Sequence, residues 1–69
     1  MNEIFSLRLK ELRQSIGISQ SLLAEKFGLK QQAVAKWEQG TSTPNPEIVG
    51  KLAQFFDVSA DYLLGITDR

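Results

Sequence analysis

"LKQQAVAKWEQG", residues 29–40, sets two adjacent glutamines ahead of a lysine and the chain's only tryptophan. On a helix beginning at Gln31, with roughly 100° per residue, Ala33, Val34 and Trp37 fall between roughly 200° and 300°. Gln31, Gln32, Ala35, Lys36 and Gln39 fall between roughly 0° and 140°. The first face is apolar and must meet a core. The second offers three amides, one ammonium and one small methyl group, with no acid among them. Trp37 on this wheel is a core anchor, not a base-stacking residue. Glu38 lies between the faces, at roughly 340°. A carboxylate at a half-buried position needs a partner, because unpaired burial is costly. Arg13 is the candidate partner, and a solvated surface acid is the alternative.

The stretches on either side also read as helices. Ser19 is placed to cap a second helix over about residues 19–27, where "SQSLLAEKF" puts Leu23, Ala24 and Phe27 on one face before Gly28. A first helix over residues 3–15 gathers Phe5, Leu9, Leu12 and Ile16 within an arc of roughly 60°, and Gly17 stops it. Arg8, Lys10 and Glu11 lie off that arc. Leu7 lies opposite it and is expected to be exposed, a partner contact if Ile4 joins it.

Past Gly40, "TSTPNP" is the one clear loop, and a fourth helix begins with Asn45 as cap and Pro46 in its first turn. There Ile48, Val49, Leu52, Ala53, Phe55 and Phe56 share an arc of roughly 160°. Gly50 interrupts this helix, either to admit another backbone or because it is tolerated. A fifth helix, "ADYLL", runs from a Ser59 cap to a Gly65 stop, and the tail "ITDR" is expected to fray. No strand-like alternation, hairpin signal or internal repeat is present. The expected architecture is all-α: one domain over residues 1–69, with five short helices around one core. Each helix is too brief to stand alone, so packing must hold them.

Composition narrows the functions available. The 69 residues include no cysteine and no histidine, which removes disulfides, thiolate zinc sites, the commonest metal ligand and the commonest general base. The serines, lysines and carboxylates that remain show no catalytic pairing, phosphate-cradling loop or metal-ligand cluster, so neither an enzyme nor a cofactor or small-molecule ligand is indicated. No apolar run approaches the ~18 residues of a membrane span, and the first residues mix charge and hydrophobe too evenly for a signal peptide, which makes a cytoplasmic location the expectation. The net charge of zero weighs against a nucleic-acid binder. Its distribution softens that objection: residues 1–46 carry six Lys/Arg against four Asp/Glu, and residues 47–69 carry two against four. Such polarity can orient a protein on a polyanion.

"QSLLAEKFGLKQQAVAKWEQ", residues 20–39, resembles the helix-turn-helix of the phage repressor and Cro family, which also occurs widely among bacterial regulators. Ala24 stands where that family has a small residue, Gly28 where its turn has glycine, and Leu23, Phe27, Leu29, Val34 and Trp37 at its buried positions. "RLKELR" resembles its first helix, "WEQG" a common ending of its recognition helix and "DVSADYLLG" its fifth helix, so the likeness covers nearly the whole chain. It implies a lambda repressor-like domain that lays helix three, about residues 31–39, in the major groove of double-stranded DNA. Gln31 and Gln32 then stand at base-reading positions and Lys36 at a third. Gln20 corresponds to a residue that touches the DNA backbone and sometimes a nearby base. Arg13 and Glu38 match a structural ion pair. Lys30 departs from the family's usual Ser or Thr cap: it cannot cap through its side chain, but its charge can reach a phosphate.

The chemistry of these side chains is consistent with such roles. A glutamine amide matches the N6/N7 edge of adenine, Lys36 can donate to guanine or to phosphate, and Ala35 can meet a thymine methyl. The starts of helices two and three favour phosphate. Gln39, Thr41, Ser42 and Thr43 are further candidates for the DNA backbone, though the last three are also ordinary loop residues. The expected function is a transcriptional regulator, most simply a repressor, bound as a homodimer to a palindromic operator in the nucleoid. Tyr62, Leu63 and Ile66 are the dimer-surface candidates, with at least one of them belonging to the core. The competing reading is a protein-interaction module that kept the fold and lost DNA; an acidic or apolar outer face on helix three would favour it.

Overall fold

A computed structural model describes residues 3–68; Met1, Asn2 and Arg69, which the expected domain limits and tail include, lie outside the described residues. The helices are α1 (Glu3–Ser15), α2 (Gln20–Lys26), α3 (Gln31–Gln39), α4 (Pro46–Phe56) and α5 (Ala60–Leu64), and no strand occurs among the described residues.

Local chemistry sets where these helices start. The side chains of Ser19, Asn45 and Ser59 accept from the backbone N–H groups of Leu22, Ile48 and Tyr62 at 3.0, 2.9 and 2.9 Å. Each satisfies a donor that a first helical turn leaves free. Lys30 precedes α3 with no side-chain cap. The ends follow one pattern. After α3, Gly40 turns left-handed at φ 80°, and the N–H of Thr41 returns to the Lys36 carbonyl at 3.1 Å. After α4 the same turn is made by Asp57 at φ 58°, the one non-glycine residue with positive φ among the described residues. Aspartate tolerates that conformation better than most side chains.

Packing completes what the caps begin. α2 packs on α3, α1 on both α3 and α5, and α4 on α5. Phe5, Leu9, Leu23, Val34, Leu52 and Leu63 are the largest fully buried side chains, so every helix contributes to one core. Ser6 is buried beside them, and its hydroxyl donates to the Trp37 carbonyl at 2.6 Å, fixing α1 against α3. Gly50 has nothing within 4 Å of the position a Cβ would take, so it is tolerated and not needed for contact.

Two apolar residues depart from the helical-wheel expectation, and one dimer-surface candidate proves to be core. Ile16, expected on the buried stripe of α1, is 52% exposed, because the helix ends at Ser15 and the chain turns away. Phe55 is 38% exposed at the rim of the α4 arc, where it meets Phe27 and Phe56 edge to face at 5.9 and 5.0 Å between ring centroids. Leu63, a dimer-surface candidate by sequence, is fully buried and belongs to the core. α5 packs against both α1 and α4, and Leu63 is the residue it buries there.

Of the tail expected to fray, Ile66 and Thr67 are held. Ile66 N–H returns to Asp61 O at 2.9 Å, and Arg8 Nη1 donates to the carbonyls of Tyr62 and Thr67, the latter at 2.8 Å. The Arg8 guanidinium lies 4.2 Å from the centre of the Tyr62 ring. Arg8 therefore clasps α5 and the residues after it to α1.

Candidate nucleic-acid interface

One buried ion pair ties α1 to α3 beside the start of α2. Arg13 leaves the last turn of α1 and meets Glu38 with both forks of its guanidinium: Nε to Oε2 at 2.6 Å and Nη2 to Oε1 at 3.0 Å. The two side chains are only 12% and 4% exposed. The third donor, Nη1, reaches the Ile18 carbonyl at 2.8 Å, just before the Ser19 cap. One guanidinium thus joins the end of α1, the entry to α2 and the rear of α3. The Glu38 carboxylate raises the Arg13 pKa, first through these hydrogen bonds and then through charge attraction, while desolvation pulls the other way. Arg13 therefore stays cationic over any working pH.

Glu38 also accepts from Gln20 Nε2 at 3.0 Å, and Gln20 Oε1 accepts in turn from Gln31 Nε2 at 2.8 Å. The four side chains form a continuous line, Arg13–Glu38–Gln20–Gln31, running from buried to exposed. The sequence named all four residues without linking Gln20 to the others. Gln20 opens α2 and Gln31 opens α3, so a helix crossing that brings the two starts together was the only available sign of the contact.

The remaining residues of the outer face are disposed differently. Gln32, Lys36 and Gln39 are exposed, as is Lys30 just before the helix, and Ala35 is half-buried among them. Among the described residues no hydrogen bond or ion pair engages the side chains of Lys30, Gln32, Lys36 or Gln39. Because Glu38 is withdrawn and neutralised by Arg13, lysine supplies the only charge on this face. Trp37, on the rear, is 6% exposed.

The loop after α3 is less uniform. The Thr41 hydroxyl donates back to the Lys36 carbonyl at 3.3 Å and helps close the helix. Thr41, Ser42 and Thr43 line a groove of about 730 Å³ together with Phe5, Val49 and Leu64. At the far end of the fold, Tyr62 is half-buried beneath Arg8, and Ile66 is 71% exposed. Among the described residues no helix is long and apolar enough to cross a membrane, and no group of three or more acidic, cysteine or histidine side chains could hold a metal ion.

This arrangement has close counterparts. The "Helix-turn-helix" family model matches residues 9–63. The HTH-type transcriptional regulator YobD of Bacillus subtilis is 34% identical over 65 residues, which is 94% of this chain and 58% of that protein. The HTH-type transcriptional activator BcrR of Enterococcus faecalis is 37% identical over 87% of this chain and 29% of its own length. The chain thus spans between about a third and three fifths of these relatives. Among solved structures, the P22 c2 repressor in complex with a synthetic operator superposes with a TM-score of 0.81 at 30% identity, covering 87% of this chain and 91% of that one. A match across that span, with relatives above 30% identity, places this chain in the helix-turn-helix family.

Proposed function

We propose that this chain binds double-stranded DNA at specific sequences and acts as a transcriptional regulator, most simply a repressor, with α3 in the major groove. The observation that carries this reading is the contrast between the two sides of α3. Its rear is fixed by Trp37 and the Arg13–Glu38 pair, while its exposed front presents Gln31, Gln32 and Lys36. A rigid helix with exposed amides suits the reading of base edges, which demands placement within a fraction of an ångström. The operator complex of the P22 c2 repressor, which shares this fold, supports the same reading.

Gln31 and Gln32 read bases, Ala35 meets a thymine methyl, and Lys36 donates to guanine or phosphate. Gln20, Lys30, Gln39 and the loop hydroxyls of Thr41, Ser42 and Thr43 face the sugar–phosphate backbone. The protein pairs as a homodimer on a palindromic operator through exposed Ile66 and the outer side of Tyr62, and it works in the cytoplasm on nucleoid DNA.

In vitro selection from random duplexes tests this directly and should return a two-fold symmetric site. Gln32→Ala should then lose about 1–3 kcal/mol at one base pair per half-site, while Lys30→Ala should weaken all sequences alike and lower the salt slope by about one per site. Recovery of no preferred sequence at low salt would instead favour a protein-interaction module.

A further inference from the structure

The line of hydrogen bonds that ends at Gln31 has a direction, and the buried carboxylate sets it. A carboxylate only accepts. Glu38 therefore forces the Gln20 amide to turn its nitrogen inward, and both Glu38 oxygens are already engaged by Arg13 and Gln20. Gln20 is left with its oxygen toward α3, so Gln31 must donate to it through Nε2. A free glutamine amide flips end for end at little cost and offers donor or acceptor alike. Here a flip would set two oxygens against each other at 2.8 Å. The edge that Gln31 keeps for a partner is therefore its oxygen together with the second N–H.

That edge fits one purine better than the other. Adenine presents a donor at N6 beside an acceptor at N7, whereas guanine presents acceptors at both O6 and N7. Meeting guanine would require the amide nitrogen outward and would break the line. We propose that Glu38 is a specificity-positioning residue: acting through Gln20, its carboxylate holds the Gln31 oxygen outward and so selects adenine over guanine at the base pair Gln31 meets. This rests on the DNA-binding reading above.

The test compares base preferences, which a merely structural role would leave unchanged. Gln31→Ala first identifies the base pair concerned, as the position whose preference disappears in selection. Adenine should hold that position in the unaltered protein by roughly tenfold or more over guanine, the range of one bidentate contact. Glu38→Gln can offer Gln20 either a donor or an acceptor, and the ratio should fall toward unity. Gln20→Lys keeps the Arg13–Glu38 pair, so it guards against loss of the fold. Its ammonium donates to both neighbours, turns the Gln31 amide over, and should raise guanine above adenine. A uniform loss of affinity in both variants with the ratio intact would overturn the proposal, as would guanine at that position in the unaltered protein. Either result leaves DNA binding standing. An unaltered protein that selects no sequence at all would overturn both readings.

Discussion

Two arginines on α1 hold opposite ends of the molecule by different means. Arg13 spends its guanidinium on a carboxylate that is almost fully enclosed, and through it ties α1 to α3 and, by way of Gln20, to the start of α2. Arg8, five residues earlier, grips backbone carbonyls after α5 and lies over the Tyr62 ring; the acid within its reach, Asp68 at 3.7 Å, stands wholly in solvent. At the first end two opposite charges have left water together, and neither tolerates losing the other. At the second the acceptors are neutral and water can replace them. The interface end is thus built as a rigid joint, and the α5 end as a clasp that can open.

Breaking the rigid joint should have the largest effect. Arg13→Met leaves Glu38 enclosed without a countercharge and should cost about 3–5 kcal/mol in urea unfolding. On a chain whose total stability is expected to be of that order, the variant should be largely unfolded at room temperature. A loss below 1 kcal/mol would mean the two ends are built alike.

At the α5 end, Gly65 sits at φ +81°, and a Cβ there would stand 2.9 Å from Ile4 Cγ2. Gly65→Ala should cost about 2 kcal/mol, combining left-handed strain with the contact. Adding Ile4→Ala should recover only the contact part. Arg8→Met should cost less, about 1–2 kcal/mol, and should speed hydrogen exchange at the Ile66 amide while leaving α2 and α3 protected. Asp68→Asn should leave the unfolding midpoint where it was, since an exposed pair at that distance contributes little.

Chain-local chemistry accounts for most of what was legible beforehand. The caps at Ser19, Asn45 and Ser59 act over three residues, and the glycine stops at Gly28, Gly40 and Gly65 act over one turn, so their patterns are complete in a short string. Wheel reasoning placed Val34, Trp37 and Leu52 correctly because their helices are long enough to define a face. It failed for Ile16, where the helix ended one residue too soon, and for Phe55, because a 160° arc on α4 is wider than the core it meets. A helix as short as α5 hardly defines a face at all, so the sequence left open which of Tyr62, Leu63 and Ile66 belongs to the core; it is Leu63. The Arg8 clasp bridges residues 54 and 59 apart in sequence, and nothing local announces it. The ion pair was legible from the half-buried position of Glu38 on the wheel, with family likeness in support. Its extension to Gln20 and Gln31 required knowing how closely two helix starts approach.

The repeated left-handed closures bear on how the domain would adapt to a surface. At Gly17, Gly28, Gly40, Asp57 and Gly65 the chain reverses within one peptide and returns a hydrogen bond to the turn it has just left. Connectors of this type hold no spare length, so neighbouring helices have no hinge between them. Among the described residues, the longest stretch of backbone outside both a helix and such a closure is 42–45, between α3 and α4. Any accommodation to a bent or irregular partner must then come from that segment, from the rotamers of Gln32 and Lys36, or from deformation of the partner itself.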